Sequence, residues 1–314
     1  MKKVVLSFLL LLICIGSVYS QSDPQLSQYM FHISSFNPAA VGEGDLIQIT
    51  GQQRWQWLGM PNAPVTTIFS INSPLKIGNS LNGIGIIGVN DQTGQFTYKT
   101  AHLQYAFKKK LGTGVLSLGT GIGFVSLGFR GDSAKTLEDD YHDKTDPLVP
   151  TTSVTGMGFD MNIGVYYSTS KFYSGVSYLH VNSPTVYWGD KWKFKQNSSL
   201  FITGGYNWIL PDSKYVFKPS TLLKSDFSSL QLDLTARMEY DNKYWGGISY
   251  RIQDAVVFLA GINIAGGMSI GYSYDLPTSQ IITVSSGSHE IIVMYSFEYV
   301  FGKRNNRYKS IRIL

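Results

Sequence analysis

The acidic stretch between positions 138 and 146 concentrates side chains that could bind a metal ion: Glu138, Asp139, Asp140, His142, Asp143 and Asp146. Carboxylate oxygens suit Ca²⁺, but the spacing is not that of an EF-hand loop and the central glycine is missing. Two interpretations stay open for this stretch. It is either a solvated acidic loop, or a site for a cation or a basic partner.

Two glycine motifs resemble signatures of catalysis or cofactor binding. Gly83–Gly88 has the spacing G-x-G-x-x-G, and Gly267–Gly271 has the spacing G-x-S-x-G. The first needs a helix directly after it to bind a dinucleotide, and the second needs a strand, a turn and a helix to present its serine. Both motifs run on into residues with strand alternation, so neither predicts a cofactor site, and Ser269 is not expected to be a nucleophile.

The five histidines, His32, His102, His142, His180 and His289, are scattered along the chain, and none has the spacing of a zinc motif. The histidines therefore predict no metal site and we expect no cofactor, while the cation alternative for the acidic stretch 138–146 stays open. Some membrane barrels hydrolyse substrates with residues at the barrel rim, and His142 beside Asp139 and Asp143 is the best local candidate for such an enzyme. A rim hydrolase therefore stays open as one hypothesis, with weak support from these residues.

The first 20 residues predict a secretory signal peptide. Lys2 and Lys3 precede an apolar segment, residues 4–15, that is shorter than the ~18–20 residues of a membrane helix. Cys14, the only cysteine, lies in this segment, so a disulfide framework is excluded for the mature chain. The net charge of +5 includes the two signal lysines and does not indicate nucleic-acid binding.

The segment Leu230–Tyr240 carries apolar side chains at even positions and polar or charged ones, including Asp233, Arg237 and Glu239, at odd positions. Side chains of a strand alternate between its two faces. Three charges on the hidden face of a soluble sandwich would be costly. In a membrane β-barrel the apolar face meets lipid and the charged face meets a wet lumen.

The same alternation recurs in about fourteen segments between residues 46 and 301, which predicts an all-β, transmembrane antiparallel β-barrel. Short connections alternate with longer ones, the longest being 129–157, 182–198 and 276–289, as expected for periplasmic turns and outer loops. An even strand count predicts an outer-membrane protein of a Gram-negative bacterium with both termini in the periplasm. Tryptophans near the strand ends predict aromatic girdles: Trp55, Trp57, Trp188, Trp208 and Trp245.

Two segments flank the predicted barrel. Residues 21–45 mix aromatic and polar side chains with two prolines, which predicts an ordered N-terminal arm that is either periplasmic or inserted into the lumen. Whether this arm or an outer loop fills the lumen stays open. Residues 302–314 form a basic periplasmic tail with five cations and no acid, which either contacts lipid headgroups or docks a periplasmic partner: Lys303, Arg304, Arg307, Lys309 and Arg312.

Several stretches together resemble the PorP/SprF family of type IX secretion and gliding-motility outer-membrane proteins. They extend from the mature N-terminus to the last strand: Asp23-Pro-Gln-Leu-Ser-Gln-Tyr29, Asn37-Pro38-Ala39, Arg54-Trp-Gln-Trp57 with Asn62-Ala-Pro64, Tyr244–Asp254, Gly271-Tyr-Ser-Tyr-Asp275 and Gly287-Ser-His-Glu290. The resemblance implies a barrel without enzymatic activity that works with a periplasmic ring lipoprotein and a peptidoglycan-linked adaptor. It also implies help in secretion or surface attachment of cargo that carries a sorting domain.

The resemblance also nominates candidate contact residues. Asp23, Gln25, Ser27, Gln28, Tyr29, Asn37 and Pro38 belong to the arm, while Arg54, Arg251, Asp254, His289 and Glu290 are ionisable side chains that would pair with the arm or with one another. Pairing would justify the burial of these charges. The alternative for these residues is an ordinary solvated lumen or rim, and the alternative function is an outer-membrane channel or transporter for small solutes.

Overall fold

A computed structural model describes residues 23–78, 80–131, 150, 152–189, 192–212 and 214–298. The predicted signal peptide, the acidic stretch 138–146 and the basic tail lie outside the described residues. Seventeen strands are present within the described ranges: β1 Ile47–Trp55, β2 Val65–Ile77, β3 Ser80–Thr93, β4 Phe96–Leu111, β5 Gly114–Arg130, β6 Ser153–Ser168, β7 Phe172–Leu179, β8 Thr185–Trp188, β9 Trp192–Lys195, β10 Ser199–Tyr206, β11 Trp208–Ile209, β12 Tyr215–Ser225, β13 Leu230–Tyr240, β14 Tyr244–Arg251, β15 Ala255–Ile264, β16 Met268–Pro277 and β17 Ser288–Phe297.

Fifteen of these strands form one antiparallel sheet that closes on itself. The first and last strands pair from Ile47 with Phe297 to Trp55 with His289, and β10 pairs with both β7 and β12. β10 and β11 continue one another, with a break at Asn207, and together make one wall strand. The wall is therefore a closed barrel of fourteen antiparallel strands, and the predicted fold class and strand count are confirmed.

The two ends of the barrel differ in their connections. The end called the loop end here carries residues 56–64, 94–95, 131–152, 180–198, 226–229, 252–254 and 278–287. The opposite end, called the turn end, carries 78–79, 112–113, 169–171, 210–214, 241–243 and 265–267. This asymmetry is typical of outer-membrane barrels, with short turns in the periplasm and longer loops outside. Among the described residues, no helix is long and apolar enough to cross a membrane.

The wall strands present apolar side chains outward and polar side chains inward. In β13, Leu230 and Leu234 are exposed on the outer face, whereas Asp233, Thr235 and Glu239 are buried toward the lumen. The same reversal holds in β1, where Gln52 and Arg54 point inward and are buried. A lipid-facing exterior and a polar interior explain this pattern, which is the inverse of a soluble sandwich.

Residues 23–46 run through the inside of this wall as an arm with three short 3₁₀ turns, Tyr29–Phe31, Ile33–Ser35 and Pro38–Ala40. The arm begins at the loop end, where Asp23 lies beside His180 directly after β7. It ends at the turn end, where the Gly42 carbonyl accepts a hydrogen bond from Lys108. Within the described residues, Asp23 and Glu298 thus lie at opposite ends of the barrel. Both termini lie outside the described residues, so the expectation of two periplasmic termini stays a prediction.

A small second sheet, formed by β8 and β9, lies in the predicted loop 182–198, where sequence reasoning expected no strands. Val186 packs in a buried cluster with Tyr98, Val125 and Leu127 of β4 and β5. Trp188 donates a hydrogen bond to the Leu127 carbonyl over 2.8 Å. This tryptophan therefore anchors an inward-folded loop rather than a membrane girdle, and the hairpin covers part of the lumen at the loop end.

If the outer face of the wall meets lipid, a charged substitution there should destabilise the barrel more at the middle of the bilayer than near its surface. Ile86, at the middle of β3, is 61% exposed on the outer face. We expect Ile86→Arg to lower the stability of the barrel in lipid vesicles by about 2–4 kcal/mol, because arginine is costly at the bilayer midplane. Gln92→Arg, on the same face of the same strand near its loop end, should cost only about 0–1 kcal/mol. Urea titration followed by heat-modifiable gel mobility measures both, and equal costs would contradict the assignment.

Candidate functional site: the arm inside the barrel

A group of buried charges surrounds the start of the arm at the loop end. This group, called the arginine cluster here, contains two cations and three carboxylates whose side chains are at most 2% exposed: Arg54, Arg251, Asp233, Asp275 and Glu290. Asp275 Oδ2 lies 2.9 Å from Arg54 Nη2 and 2.9 Å from Arg251 Nη1. Arg251 Nε lies 3.1 Å from Asp233 Oδ2. The cluster joins β1, β13, β14, β16 and β17, which include the two strands that close the barrel.

Ser27 of the arm occupies the centre of the arginine cluster. Its hydroxyl donates to Asp275, 2.7 and 2.8 Å from the two carboxylate oxygens, and accepts from Arg54 Nη1 at 2.8 Å and Arg251 Nη2 at 3.0 Å. The backbone amides of Ser27 and Gln28 donate to the two oxygens of Glu290, each over 2.8 Å. The wall charges therefore bind both the side chain and the main chain of the arm.

A second group of ionisable side chains, called the histidine cluster here, holds the first described residue. Asp160 Oδ2 lies 2.8 Å from His102 Nε2 and 2.8 Å from His180 Nδ1. The other ring nitrogen of His180 lies 3.0 Å from Asp23 Oδ1, and Lys224 donates to the Asp23 carbonyl.

The histidine cluster also shifts the protonation of the groups around the arm. Burial alone would lower the pKa of His180, but Asp23 and Asp160 raise this pKa to about 10, so the ring is a cation at neutral pH. Burial would likewise raise the pKa of Asp23, yet His180 and Lys224 hold it well below its ordinary value. The start of the arm is thus held by an ion pair between Asp23 and His180.

Midway along the lumen, neutral contacts replace charges. The Tyr29 hydroxyl lies 3.1 Å from Ser220 Oγ and 3.0 Å from Thr235 Oγ1. His32 lies 3.1 Å from Gln52 Oε1 and 2.7 Å from Ser70 Oγ. These contacts satisfy buried polar groups without adding an unpaired charge.

An aromatic contact fixes the next residue of the arm. The Phe31 ring centroid lies 4.5 Å from that of Trp245, and the Arg237 guanidinium carbon lies 4.5 Å from the Phe31 centroid. Trp245 is buried and faces the lumen. The expectation that Trp245 belongs to a lipid-facing girdle is therefore wrong, because its position in β14 alternates inward.

In the half nearer the turn end, wall glycines leave room for the arm. A Cβ atom added to Gly119 of β5 would lie 2.2 Å from the Ala39 amide nitrogen, and one added to Gly164 of β6 would lie 2.1 Å from Asn37 Oδ1. Asn37 caps the last 3₁₀ turn by accepting from Ala39 N over 3.0 Å, and its Nδ2 donates to the Val165 carbonyl over 3.1 Å. The Asn37-Pro38 step thus combines a turn cap with a wall contact.

Most of the nominated residues meet at the arm and its surroundings. The structure brings together Asp23, Ser27, Gln28, Tyr29, Asn37, Pro38, Arg54, Arg251 and Glu290. Asp254 lies at the rim of the arginine cluster, 3.1 Å from Arg251 Nη1, with its side chain 32% exposed.

Two nominated residues make no such contact. Gln25 Oε1 is buried and has no hydrogen-bond partner among the described residues. His289 lies 2.7 Å from the exposed Tyr272 hydroxyl, on the outer face of the wall. The nominated cations of the tail, from Lys303 to Arg312, lie outside the described residues.

Sequence reasoning missed several members of the two clusters. The sequence pattern places Asp275 only in a stretch that resembles the family, and Asp233 only on the charged face of a strand. It connects none of the other members with the arm: His102, Asp160, His180 and Lys224. A local signal did exist for His102, because it has the inward parity of Tyr98 and Gln104 in β4. Its partner Asp160 lies 58 positions away in another strand, and spacing alone could not pair the two residues.

The two glycine motifs also have a place in this interface. Gly83, Gly85 and Gly88 lie in β3, and Gly271 lies in β16, with no helix after either motif. A Cβ atom on Gly83 would lie 2.0 Å from the Val41 carbonyl oxygen, and one on Gly271 would lie 2.3 Å from Gln28 Oε1. These glycines make space for the arm, as expected of barrel glycines rather than of a nucleotide site or a nucleophile elbow.

Two cavities of unequal size lie beside the arm in the described part of the lumen. A small cavity of about 60 Å³ remains between the arm and the wall near the histidine cluster. A larger cavity of about 1000 Å³, called the vestibule here, lies toward the turn end, with Met30, Phe31 and Ile33 of the arm and Arg237 and Glu239 of the wall among its lining. The described lumen is therefore filled at the loop end and hollow at the turn end.

The chain matches the model of one protein family over most of its length. The family model described as "Type IX secretion system membrane protein PorP/SprF" matches residues 18–295. No curated protein matches the chain.

Solved structures with similar folds include bacterial outer-membrane channels. The CymD monoaromatic hydrocarbon channel is 14% identical, with a TM-score of 0.49 over 91% of this chain and 95% of that chain. The Pseudomonas putida toluene transporter TodX is 12% identical, with a TM-score of 0.48 over 90% of this chain and 95% of that chain. The KdgM porin is 11% identical, with a TM-score of 0.37 over 80% of this chain and 99% of that chain. At these identities and scores, the likeness carries no argument about function.

The arginine cluster predicts a large effect of removing one cation. Arg251→Met should destabilise the barrel by about 3–5 kcal/mol, because the buried Asp233 would lose its cation and Asp275 would keep only one of its two, Arg54. Lys243→Met is the matched control, since Lys243 is 66% exposed and 3.9 Å from Asp241, and we expect a change below about 0.5 kcal/mol. Urea unfolding in vesicles measures both variants. Similar midpoints for the two would contradict a stabilising role of the cluster.

The glycine contacts predict that one added methyl group displaces the arm. Gly119→Ala should cost about 1–3 kcal/mol by overpacking against Ala39 and should raise the conductance of the purified barrel in planar bilayers. Gly121→Ala is the control on the same strand and face, because its nearest contact would be at 3.5 Å. The arm does not fill the lumen as described if Gly119→Ala conducts no more than Gly121→Ala.

Proposed function

The chain belongs to the PorP/SprF family of type IX secretion system membrane proteins, and from this membership we propose that it is a plugged, non-enzymatic outer-membrane barrel that anchors periplasmic components of the secretion and gliding machinery. In this role it assists the secretion or surface attachment of cargo with a sorting domain. The family carries the type IX assignment, and the filled lumen is the observation that favours a scaffold over an open pore.

The buried charges of the lumen near the loop end are engaged in holding the arm. Arg54, Arg251, Asp275 and Glu290 all contact Ser27 or Gln28, and His180 contacts Asp23. A diffusion channel would instead leave its inward polar side chains to water and solute. Engagement of these groups also supports a role without catalysis, since none of them is left as a free acid, base or nucleophile in a substrate cleft.

The turn end offers the surface for periplasmic partners. Exposed lysines lie at five of its six turns, or at the strand ends next to them: Lys76, Lys109, Lys110, Lys171, Lys214 and Lys243. The five cations of the predicted tail follow Glu298, which lies at the same end. We propose that this basic end, with the vestibule, docks the ring lipoprotein and the peptidoglycan-linked adaptor, and that cargo is met at the loop end.

A small-solute channel is the second candidate. The vestibule favours it, because a cavity of about 1000 Å³ is of the size that binds small molecules. Passage to the loop end would require the arm to leave the arginine cluster. Such a protein would conduct without any partner, which separates it from the scaffold.

Affinity purification from membranes tests the scaffold. The unmodified protein should co-purify with periplasmic ring components and should conduct little in planar bilayers. A variant with Lys303, Arg304, Arg307, Lys309 and Arg312 changed to Gln should recover at least ten-fold less of these partners, because the attraction of a basic surface is lost. Its control is Lys193→Gln with Lys195→Gln, two exposed cations of the hairpin at the loop end.

Two results would overturn this proposal. One is an unmodified barrel that retains no envelope partner and conducts freely. The other is equal loss of partners from the tail variant and from the hairpin control, which would mean that charge at the turn end does not select them.

A further inference from the structure

The arm crosses the barrel from one end to the other. β1 starts at Ile47 at the turn end, so the chain before it must begin its passage there. Asp23 lies at the other end, next to His180 after β7 and to Lys224 near the end of β12. Asp23 and Asp45 are 22 positions apart, and even with three 3₁₀ turns this length is enough to span a hydrocarbon core of about 30 Å.

The direction of the arm is fixed by contacts at successive depths. Near the loop end, Ser27 contacts Arg54 and Arg251, which lie at or next to the ends of β1 and β14. Near the turn end, Asn37 contacts the backbone of β6, and the Gly42 carbonyl accepts from Lys108. These contacts come from strands all around the wall, so the arm is enclosed along its length.

The end at which Asp23 lies is the outer one. The connections at that end include 131–152, 180–198 and 278–287, whereas the longest connection at the other end is 210–214. Long loops face the outside in outer-membrane barrels, and short turns face the periplasm.

We infer that the arm is a further transmembrane passage, so that the fourteen wall strands and the arm make fifteen crossings, and that the chain enters this passage from the cell surface at Asp23. Asp23, the first described residue, is then at the outer end of the barrel, beside His180 after β7 and Lys224 near the end of β12. This topology depends on the fold alone and not on the proposed scaffold role.

Cysteine labelling on whole cells tests the topology. Cys14 is the only cysteine and lies in the predicted signal segment, so a Cys14→Ser background carries no thiol. Single substitutions Ser22→Cys, Ile282→Cys and Asn242→Cys probe the arm, the outer loop and a turn, the last two being exposed positions. A membrane-impermeant maleimide is applied to intact cells and to cells with a permeabilised outer membrane, and labelling after denaturation gives the total.

On intact cells, we expect Ser22→Cys and Ile282→Cys to be labelled at least ten-fold more than Asn242→Cys, which should react only after permeabilisation. The inference is overturned if Ser22→Cys behaves like Asn242→Cys. A second variant, with an epitope inserted between Ser22 and Asp23, guards against a cysteine that is shielded. An antibody should bind this epitope on intact cells, and binding only after permeabilisation would also overturn the inference.

Discussion

The contact between Ser27 and the arginine cluster is the interaction on which the rest of the structure depends. Five ionisable groups are removed from water around one hydroxyl and two backbone amides. Burial of each charge costs several kcal/mol, which ion pairs and further hydrogen bonds offset. The wall alone does not supply all of these hydrogen bonds: the arm donates to Glu290 and Asp275 and accepts from Arg54 and Arg251. An arm of this sequence and a wall of this charge pattern therefore require one another.

The arm and the wall also depend on each other toward the turn end, where the fit is steric. The half of the arm near the loop end is held by charged groups. The half near the turn end fits against wall glycines, because Gly119 and Gly164 leave space that Ala39 and Asn37 occupy. A polar lumen filled in this way differs from that of an open porin, although the amphipathic strands of both would look alike. The vestibule at the turn end is hollow and the arginine cluster at the loop end is packed, so the two ends of the barrel differ chemically.

The wall could be predicted from the sequence because its signal is local. Alternation with a period of two identified the strands and the inward side of β13, and loop lengths separated the two ends. The hairpin of β8 and β9 was missed because its strands, Thr185–Trp188 and Trp192–Lys195, are too short to show alternation. The pairing of Asp23 with His180, 157 positions apart, depends on how the whole sheet closes, and no spacing in the chain contains it. The stretches that resemble the family include residues of the arm and residues of the wall that binds it, but they do not indicate which residue contacts which.

The register of the closing strands has a consequence for assembly. Arg54 pairs with Glu290 across the seam of β1 and β17, and both residues contact the arm. A slip of one residue in this pairing would turn Glu290 toward lipid and remove the acceptor of the Ser27 and Gln28 amides. Binding of the arm therefore depends on correct closure of the barrel. Only a barrel in which β1 and β17 pair in this register presents Glu290 to the arm, and a barrel closed in another register would have an unfilled, conducting lumen.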